Sequence, residues 1–213
     1  MLDRKKNYAL LAETVMKNLE KRNMDACYCD TKEEALEKAC SYLSEGCSVS
    51  WGGSATLHSI GLIDYLTANE GTYTLYNRFA CKTAEEKREM YAKGTLSDVY
   101  FMSSNALTKD GILVNMDGSG NRVASLAYGP NMVVLVIGMN KLTSTVEDAV
   151  HRIEMQAAPI NTVHLNLDTP CTKTGTCINC KSKSCICCNL AITRYNRVDG
   201  RIKVILVGED LGY

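Results

Sequence analysis

The stretch Cys47-Ser-Val-Ser-Trp-Gly-Gly-Ser-Ala-Thr56 decides the fold. Its residues up to Trp51 predict a buried strand, and the pair Gly52-Gly53 follows without a spacer. Ser54 is a typical N-cap residue, and helical spacing then predicts a helix over 56–68. A strand that passes through a glycine turn into a helix begins a βα unit, the element from which parallel α/β sheets are built.

Ahead of this strand the sequence predicts two helices with a short strand between them. Apolar residues recur at helical spacing in the first helix, at Tyr8, Leu11, Val15 and Leu19. The second helix follows the start signal Thr31-Lys-Glu-Glu34, and residues 26–29 predict the strand.

Downstream the same alternation continues. Strands are predicted at 72–76, 99–102, 112–115, 123–127 and 133–137, and helices begin at Thr83-Ala-Glu-Glu86 and Ser144-Thr-Val-Glu147. Two final strands, 190–195 and 202–207, are separated by Asp199-Gly200, which predicts a hairpin turn. We therefore expect an α/β fold, a three-layer Rossmann-like arrangement of a mostly parallel sheet between helices.

Length and charge narrow the class of protein. The 213 residues suit one domain, and 24 Lys+Arg balance 24 Asp+Glu, so no sequence-wide positive field favours nucleic acid. We expect one domain, 1–213, made of N-terminal helices (1–45), an α/β core (46–168), a cysteine-rich segment (169–189) and C-terminal strands (190–213). The amphipathic N-terminus lacks the apolar core of a signal peptide, and no apolar run is long enough to span a bilayer, which predicts a cytoplasmic protein.

The candidate ligand site lies in the loops that follow the strands, because ligands of open parallel sheets bind at the carboxyl ends of the strands. In the first loop the glycines let a ligand approach the backbone, and the helix that follows offers unpaired N–H groups to an anion. The alternative is a tight turn with Ser54 as N-cap and nothing bound. The predicted ligand-binding residues are Gly52, Gly53, Ser54, Thr56, Asn105, Asp117, Gly120, Asn121, Arg122, Asn140 and Lys141.

The second glycine-rich loop, Asp117-Gly-Ser-Gly-Asn-Arg122, places an amide beside a guanidinium. Arg122 can bind a carboxylate or phosphate through two hydrogen bonds, and Lys141 adds a point charge. The alternative is a hairpin loop with Arg122 in a surface salt bridge. No spacing identifies catalytic residues, so the sequence does not decide whether the protein is an enzyme.

Six of the eleven cysteines crowd into one segment, as Cys171-x5-Cys177-x2-Cys180-x4-Cys185-x-Cys187-Cys188. In a cytoplasmic chain such a cluster favours metal binding, and thiolates suit zinc or an iron–sulfur cluster. A redox dithiol and ordinary reduced thiols are the alternatives. No nicotinamide or flavin motif is present.

Six ordered blocks resemble the LUD-domain (lactate utilization) family. They are Ser50-Trp-Gly-Gly-Ser54, Ser104-Asn-Ala-Leu-Thr108, Asp117-Gly-Ser-Gly-Asn-Arg122, Val136-Ile-Gly-Met-Asn-Lys141, Ala157-Ala-Pro-Ile-Asn161 and Val207-Gly-Glu-Asp-Leu-Gly-Tyr213. The resemblance implies a fold like that of ribose-5-phosphate isomerase, glucosamine-6-phosphate deaminase and CoA transferases. It also implies a role in oxidation of L-lactate to pyruvate, beside iron–sulfur subunits.

The resemblance also suggests a ligand set among the cysteines. The shorter form of the family carries a Cys-x5-Cys-x2-Cys-x6-Cys pattern, which maps onto Cys171, Cys177, Cys180 and Cys187; Cys185 and Cys188 are additional. The expected partners are a small anionic metabolite and iron–sulfur subunits, with no nucleic acid and no membrane span, and a homo-oligomer remains open.

Three hypotheses about function follow. The first is a LUD-domain protein of organic-acid utilization that binds a small anion at the strand-end loops and a metal or cluster at the four mapped cysteines. The second is a sugar-phosphate isomerase or CoA-ester enzyme with structural cysteines. The third is a non-catalytic subunit of a redox complex.

Overall fold

A computed structural model describes residues 2–213. Its helices are Leu2–Glu20 (α1), Lys32–Cys40 (α2), Ala55–Ser59 (α3), Leu62–Ala68 (α4), Ala84–Thr95 (α5), Asn121–Ala127 (α6), Val146–Arg152 (α7), Ala158–His164 (α8) and Pro170–Thr174 (α9). Its strands are Asp25–Cys29 (β1), Ser48–Trp51 (β2), Thr74–Tyr76 (β3), Val99–Met102 (β4), Ala106–Thr108 (β5), Leu113–Asp117 (β6), Met132–Gly138 (β7), Leu142–Thr143 (β8), Asn189–Thr193 (β9) and Ile202–Val207 (β10).

The main sheet has six strands in the order β1-β10-β7-β4-β2-β3, and every neighbouring pair is parallel. The central strands β7 and β10 are buried nearly throughout and are mostly aliphatic, as expected when helices cover both faces of a sheet. The predicted mostly parallel α/β sheet is confirmed.

Alternate residues of these strands supply two separate cores. Val134 and Val136 of β7 pack on one face with residues of α2, α3 and α4. Val133, Leu135 and Ile137 pack on the other face against α1. Because successive side chains of a strand point to opposite faces, one apolar strand serves both cores. The predicted three-layer arrangement follows from this.

A second, smaller sheet lies beside the first, in the order β8-β5-β6-β9. It contains two strands that the sequence did not indicate, β5 and β8. It also contains β9, which pairs antiparallel with β6. The predicted hairpin around Asp199-Gly200 is therefore wrong: β9 and β10 belong to different sheets, and Gly200, with φ +70°, turns the chain from one sheet to the other.

The predicted strand at 123–127 is also wrong, since these residues belong to helix α6. The carboxylate of Asp117 accepts hydrogen bonds from the backbone N–H groups of Gly120 (3.2 Å), Arg122 (3.1 Å) and Val123 (3.2 Å). These are N–H groups of the first turn, which lack partners within a helix. An acceptor several residues upstream in sequence thus starts a helix where the local apolar pattern favoured a strand.

The helix predicted over 56–68 is two helices, α3 and α4. Gly61 separates them with φ +77°, a conformation that a continuous α-helix does not contain. Helix α3 therefore has only five residues. Its dipole is correspondingly small, so any positive potential at the preceding glycine turn comes mainly from side chains.

The parallel direction of the main sheet brings four loops to one edge. Strands β2, β4, β7 and β10 end at Trp51, Met102, Gly138 and Val207. We call the residues that follow them (52–56, 103–105, 139–141 and 208–213) the strand-end rim. None of the helices between residues 2 and 213 combines the length and the apolar character that crossing a bilayer demands.

Candidate functional site

The glycine turn of the strand-end rim is packed against Arg122. A Cβ atom at Gly52 would lie 2.9 Å from Cδ and 3.1 Å from Cγ of Arg122. The absence of a side chain at residue 52 thus lets the arginine stem lie against the turn. The structure brings the first and second glycine-rich loops together, as the sequence predicts.

The Arg122 guanidinium is enclosed by protein acceptors. Nη1 donates to the Ser103 carbonyl (3.1 Å) and to Asn115 Oδ1 (2.6 Å). Nη2 donates to Asn105 Oδ1 (2.8 Å) and to the Met116 carbonyl (2.7 Å), and Nε lies 3.7 Å from a carboxylate oxygen of Asp117. Both terminal nitrogens donate to protein acceptors and Nε faces the Asp117 carboxylate, so in this arrangement Arg122 orders the rim. The surface hairpin alternative is wrong.

Lys141 lies in the turn that follows β7, and its residue is only 3% exposed. Its Nζ donates to Thr56 Oγ1 at 2.7 Å and to Ser103 Oγ at 3.0 Å, so it joins the loops after β2, β4 and β7. Burial, and to a lesser extent the neighbouring cations Arg152 and Arg122, together lower the pKa of Lys141 to about 7.

Two further cations, which the sequence did not indicate, lie next to the rim. Arg78 donates through Nη1 to the Trp51 carbonyl (3.3 Å), and its Nη2 would be 3.2 Å from a Cβ at Gly53. Arg152, at the end of α7, donates to the carbonyls of Asn105 (2.7 Å) and Asn140 (3.3 Å). Both side chains donate to main-chain carbonyls, and a carbonyl can come from any residue, so these contacts leave no motif in the sequence.

Four cations lie at this edge with few carboxylates close to them: of the acids in the rim itself, Asp210 pairs with Arg4 and Glu209 accepts from Lys32 N. The four cations are Arg78, Arg122, Lys141 and Arg152; within residues 2–213, only Asp117 places a carboxylate within 4 Å of any of their nitrogens, that of Arg122. Burial lowers the pKa of Arg122, and Asp117 opposes that effect. A cationic group without an acidic partner is costly to bury, so this arrangement favours an anionic ligand.

The last residues of the chain lie over Lys141. A Cβ at Gly212 would be 3.2 Å from Lys141 Nζ and 2.6 Å from Thr56 Oγ1. The segment is held by Asn140, whose Oδ1 accepts from Leu211 N (3.1 Å), and by Thr56, which donates to the Leu211 carbonyl (3.3 Å). Any ligand of Lys141 must share this space with residues 211–212.

The remaining predicted ligand residues divide into two groups. Ser54 caps α3 by accepting from Leu57 N at 3.3 Å, and Gly53 is exposed at the turn. Asn121 borders the same turn, where its amide oxygen accepts from Arg78 Nη1 at 2.9 Å. By contrast, Asn105 and Asp117 bind Arg122 or main-chain groups, and Gly120 (φ +81°) precedes helix α6. These three residues therefore support the residues of the site and do not face the turn themselves.

The cysteine-rich segment encloses a separate cavity of about 70 Å³. It is lined by five thiols together with residues of the π-helical turn Ile153–Ala157 and of α8. The five are Cys171, Cys177, Cys180, Cys185 and Cys187. The four cysteines that the family pattern selects thus face the same space, with Cys185 as a fifth.

Several of these sulfur atoms already accept hydrogen bonds. Cys177 Sγ accepts from Asn179 N (3.4 Å), and Cys185 Sγ accepts from Cys187 N (3.3 Å). Burial raises the pKa of Cys171, but hydrogen bonds with Thr162 and Thr169 outweigh it, and the net shift is downward. Burial and the nearby sulfurs of Cys185, Cys177 and Cys171 raise the pKa of Cys187 to about 12.

These thiols have the chemistry of a metal site but not its geometry. Over residues 2–213, no three Cys, His, Asp or Glu side chains converge as the ligands of one ion. Cys171 lies in α9, but the other four thiols of the cavity lie in residues 175–188, which form only turns, bends and coil.

The cationic rim and the thiol cavity adjoin each other. Met116 lines the cavity, while its carbonyl accepts from Arg122. Arg152 contacts the rim, and the next residue, Ile153, lines the cavity. In addition, Cys188 N donates to the Asp117 carbonyl at 3.1 Å. The two predicted sites therefore share walls.

The sequence and the structure were compared with those of known proteins. A model of the LUD domain matches residues 12–207. A DUF162 family protein from Deinococcus radiodurans has a similar structure, with TM-score 0.55 and 13% identity over 94% of this chain and 98% of that chain. The eIF2B delta structure from Chaetomium thermophilum matches with TM-score 0.37 and 12% identity, over 56% of this chain and 50% of that one. No curated protein matches the sequence.

The match to the LUD domain spans nearly the whole chain, and the similar structure shows the same fold. This chain belongs to the LUD domain family.

Proposed function

We propose that this protein acts in cytoplasmic organic-acid utilization, of the lactate-oxidation type that its family name describes, and binds a small anionic metabolite at the strand-end rim. The observation that carries the proposal is Lys141: a buried lysine that contacts two hydroxyl groups and lies near two other cations but, within the described chain, pairs with no carboxylate. A carboxylate or phosphate group beside it would supply the missing charge.

The proposed anion site combines groups at the exposed turn with the buried amine of Lys141 beneath residues 211–212. Gly53 offers its backbone, Ser54 a hydroxyl, Arg78 the Nη2 side of its guanidinium, and Lys141 a charge when protonated. Arg122 acts indirectly, by fixing Gly52 and Asn105 around this space. Because α3 is short, these side chains contribute more to binding than the helix dipole does.

A metal or cluster at the thiol cavity is the second half of the proposal. Four or five thiols around one space form a donor set that suits zinc or an iron–sulfur cluster, and the sulfurs of Cys177 and Cys185 accept N–H bonds of the kind that tune such centres. Coil residues 175–188 would move to bring the sulfurs together. An iron–sulfur cluster supplies one-electron transfer when bound.

Metal content tests this half directly. We expect anaerobically purified protein to contain iron or zinc, with visible absorption for an iron–sulfur cluster, and Cys177→Ser to lose most of the metal because its sulfur faces the shared cavity. Cys47→Ser is the matched control, since Cys47 lies in the core against the main sheet. Metal-free wild-type protein with every thiol titratable would remove the cluster from the account.

A ligand panel tests the anion site and separates the substrate classes. The same cations would hold a phosphate, so a sugar-phosphate isomerase or CoA-ester enzyme is the second candidate. A ligand that binds only the folded state raises the melting temperature. We expect L-lactate or pyruvate to raise it; a rise with ribose 5-phosphate or CoA alone would favour the second candidate, and no rise with any anion would oppose both.

A redox partner is also part of the proposal. Exposed apolar side chains occur on α8 (Ile160, Val163), just after it (Leu165) and on the cysteine-rich segment, where Ile178 lines the thiol cavity. An iron–sulfur subunit docked there would be close to a cluster held by these thiols. Co-purification of such a subunit with the tagged full chain would support this role.

A further inference from the structure

The amine of Lys141 is arranged as a nucleophile. Its two hydrogen-bond partners are hydroxyls that each have an acceptor of their own, since Thr56 Oγ1 donates to the Leu211 carbonyl (3.3 Å) and Ser103 Oγ to the Ser104 carbonyl (3.4 Å). Both hydroxyls therefore accept from Lys141. A neutral amine has two N–H groups for these two acceptors, and its lone pair remains free.

The surroundings favour that neutral form. The residue is 3% exposed, and Arg122 and Arg152 are the charged groups close enough to affect it. Both guanidinium groups are fixed by main-chain carbonyls, so they cannot turn away when the lysine carries a proton. Desolvation and an adjacent cation are the two conditions under which enzymes use lysine as a nucleophile. The pKa of about 7 agrees with this geometry.

We propose that Lys141 forms an imine with a small carbonyl compound that carries a carboxylate or phosphate group. This inference rests on the proposed anion site, because the cations of the rim would hold the anionic group while the amine meets the carbonyl. It deepens that proposal by naming the substrate class, a 2-oxo acid or a phosphorylated ketone.

The step balances without any oxidant. The amine lone pair forms a bond to the carbonyl carbon, and the carbonyl oxygen takes up a proton to give a carbinolamine. Loss of that oxygen as water, with the nitrogen lone pair forming the C=N bond, gives the imine. Thr56 and Ser103 contact the nitrogen and can pass the protons that this exchange requires.

Residues 211–212 control access to the amine. The Gly212 backbone leaves no room for a side chain beside Lys141 Nζ and Thr56 Oγ1, so a substrate must displace it. Leu211 is held by the core and by hydrogen bonds with Asn140 Oδ1 (3.1 Å) and Thr56 Oγ1 (3.3 Å), whereas the polar contact of Gly212, from Asn140 Nδ2 to its carbonyl, is long at 3.5 Å. A shift of Gly212 alone therefore breaks one weak hydrogen bond.

Reductive trapping tests the inference. The full chain is incubated with sodium cyanoborohydride and either pyruvate or dihydroxyacetone phosphate, and adducts are located by peptide mass mapping. We expect one adduct per chain at Lys141 in wild type and none at residue 141 in Lys141→Arg, which keeps the charge but cannot form the imine. The arm that gives the adduct identifies the anionic group. Trapping should increase as pH rises from 6 to 8, because more of the amine is neutral.

The outcomes separate this inference from the proposed function. Melting temperatures are measured with the same two ligands, without reductant. Stabilisation by pyruvate together with no adduct at Lys141 would overturn the imine and leave the anion site standing. Absence of both stabilisation and adduct would overturn both. If Lys141→Arg does not fold, the test is the position of the adduct in the wild-type protein. Labelling spread equally over the surface lysines would then refute the inference.

Discussion

Replacing Arg122 with Met is expected to destabilise the protein by about 3–5 kcal/mol, the usual cost of removing one partner from a buried ion pair. The substitution leaves four acceptors without their donor, the side chains of Asn105 and Asn115 and the carbonyls of Ser103 and Met116. It also leaves Asp117 buried without its cation. Urea unfolding of wild type and variant measures the difference.

An exposed arginine provides the control for this experiment. Arg88→Met changes the same residue type on the exposed surface of α5, and we expect almost no change in its unfolding midpoint. If Arg122→Met were equally neutral, the guanidinium would not be enclosed as described, and it would be free to bind a ligand directly.

Lys141→Met should change how stability depends on pH. The pKa of Lys141 is about 7 in the folded protein and about 10.4 in the unfolded chain. Between these values the unfolded chain binds more protons, so wild-type stability rises with pH. Relative to Lys141→Met, which cannot titrate, wild type should gain on the order of 1.4 kcal/mol per pH unit within this window. Below pH 7 the difference levels off, because Lys141 is protonated in both the folded and the unfolded state.

The measurement is the difference between two unfolding free energies at pH 6.5, 8 and 9.5, with reductant present. Other titrating groups cancel in that difference. Lys87→Met, at an exposed position of α5, should show no such trend against wild type. A flat difference for Lys141→Met would mean that the lysine is neither desolvated nor surrounded by cations.

The main sheet could be predicted because its signals are local. Residues 133–137 are apolar without interruption, and the Thr83-Ala-Glu-Glu86 start signal forms the capping box at α5. Both strand and cap are determined by residues adjacent in sequence. Thr145 likewise caps α7, although with Asp148 as the reciprocal partner rather than the expected Ser144 and Glu147 pair.

The errors in the predicted fold arise from long-range contacts. Residues 123–127 have strand-like composition, but the Asp117 carboxylate binds the first N–H groups of a helix there. Residues 189–193 form a strand as expected, yet they pair with β6, more than 70 residues earlier. Local patterns do not specify which partner a strand takes, so the order of strands in the second sheet could not be read from the sequence.

In the candidate site, too, the features with local signals were predicted and those that depend on long-range contacts were not. The glycine turn and Lys141 were predicted because both follow parallel strands, whose carboxyl ends meet at one edge. Arg78 and Arg152 were missed because each binds main-chain carbonyls, and any residue supplies a carbonyl. The enclosure of Arg122 by four hydrogen-bond acceptors and the Asp117 carboxylate could not be predicted from the sequence either, and the sequence prediction places that side chain at the ligand.

Isothermal titration of the full chain with L-lactate, which has no carbonyl to react with the amine, at pH 6 and pH 9 tests the central claim most directly, namely that a cationic rim centred on Lys141 binds a small anion. The account predicts binding at pH 6, weaker binding at pH 9 where Lys141 is neutral, and loss of this pH dependence together with most of the affinity in Lys141→Met. Unchanged affinity in Lys141→Met at both pH values would contradict it.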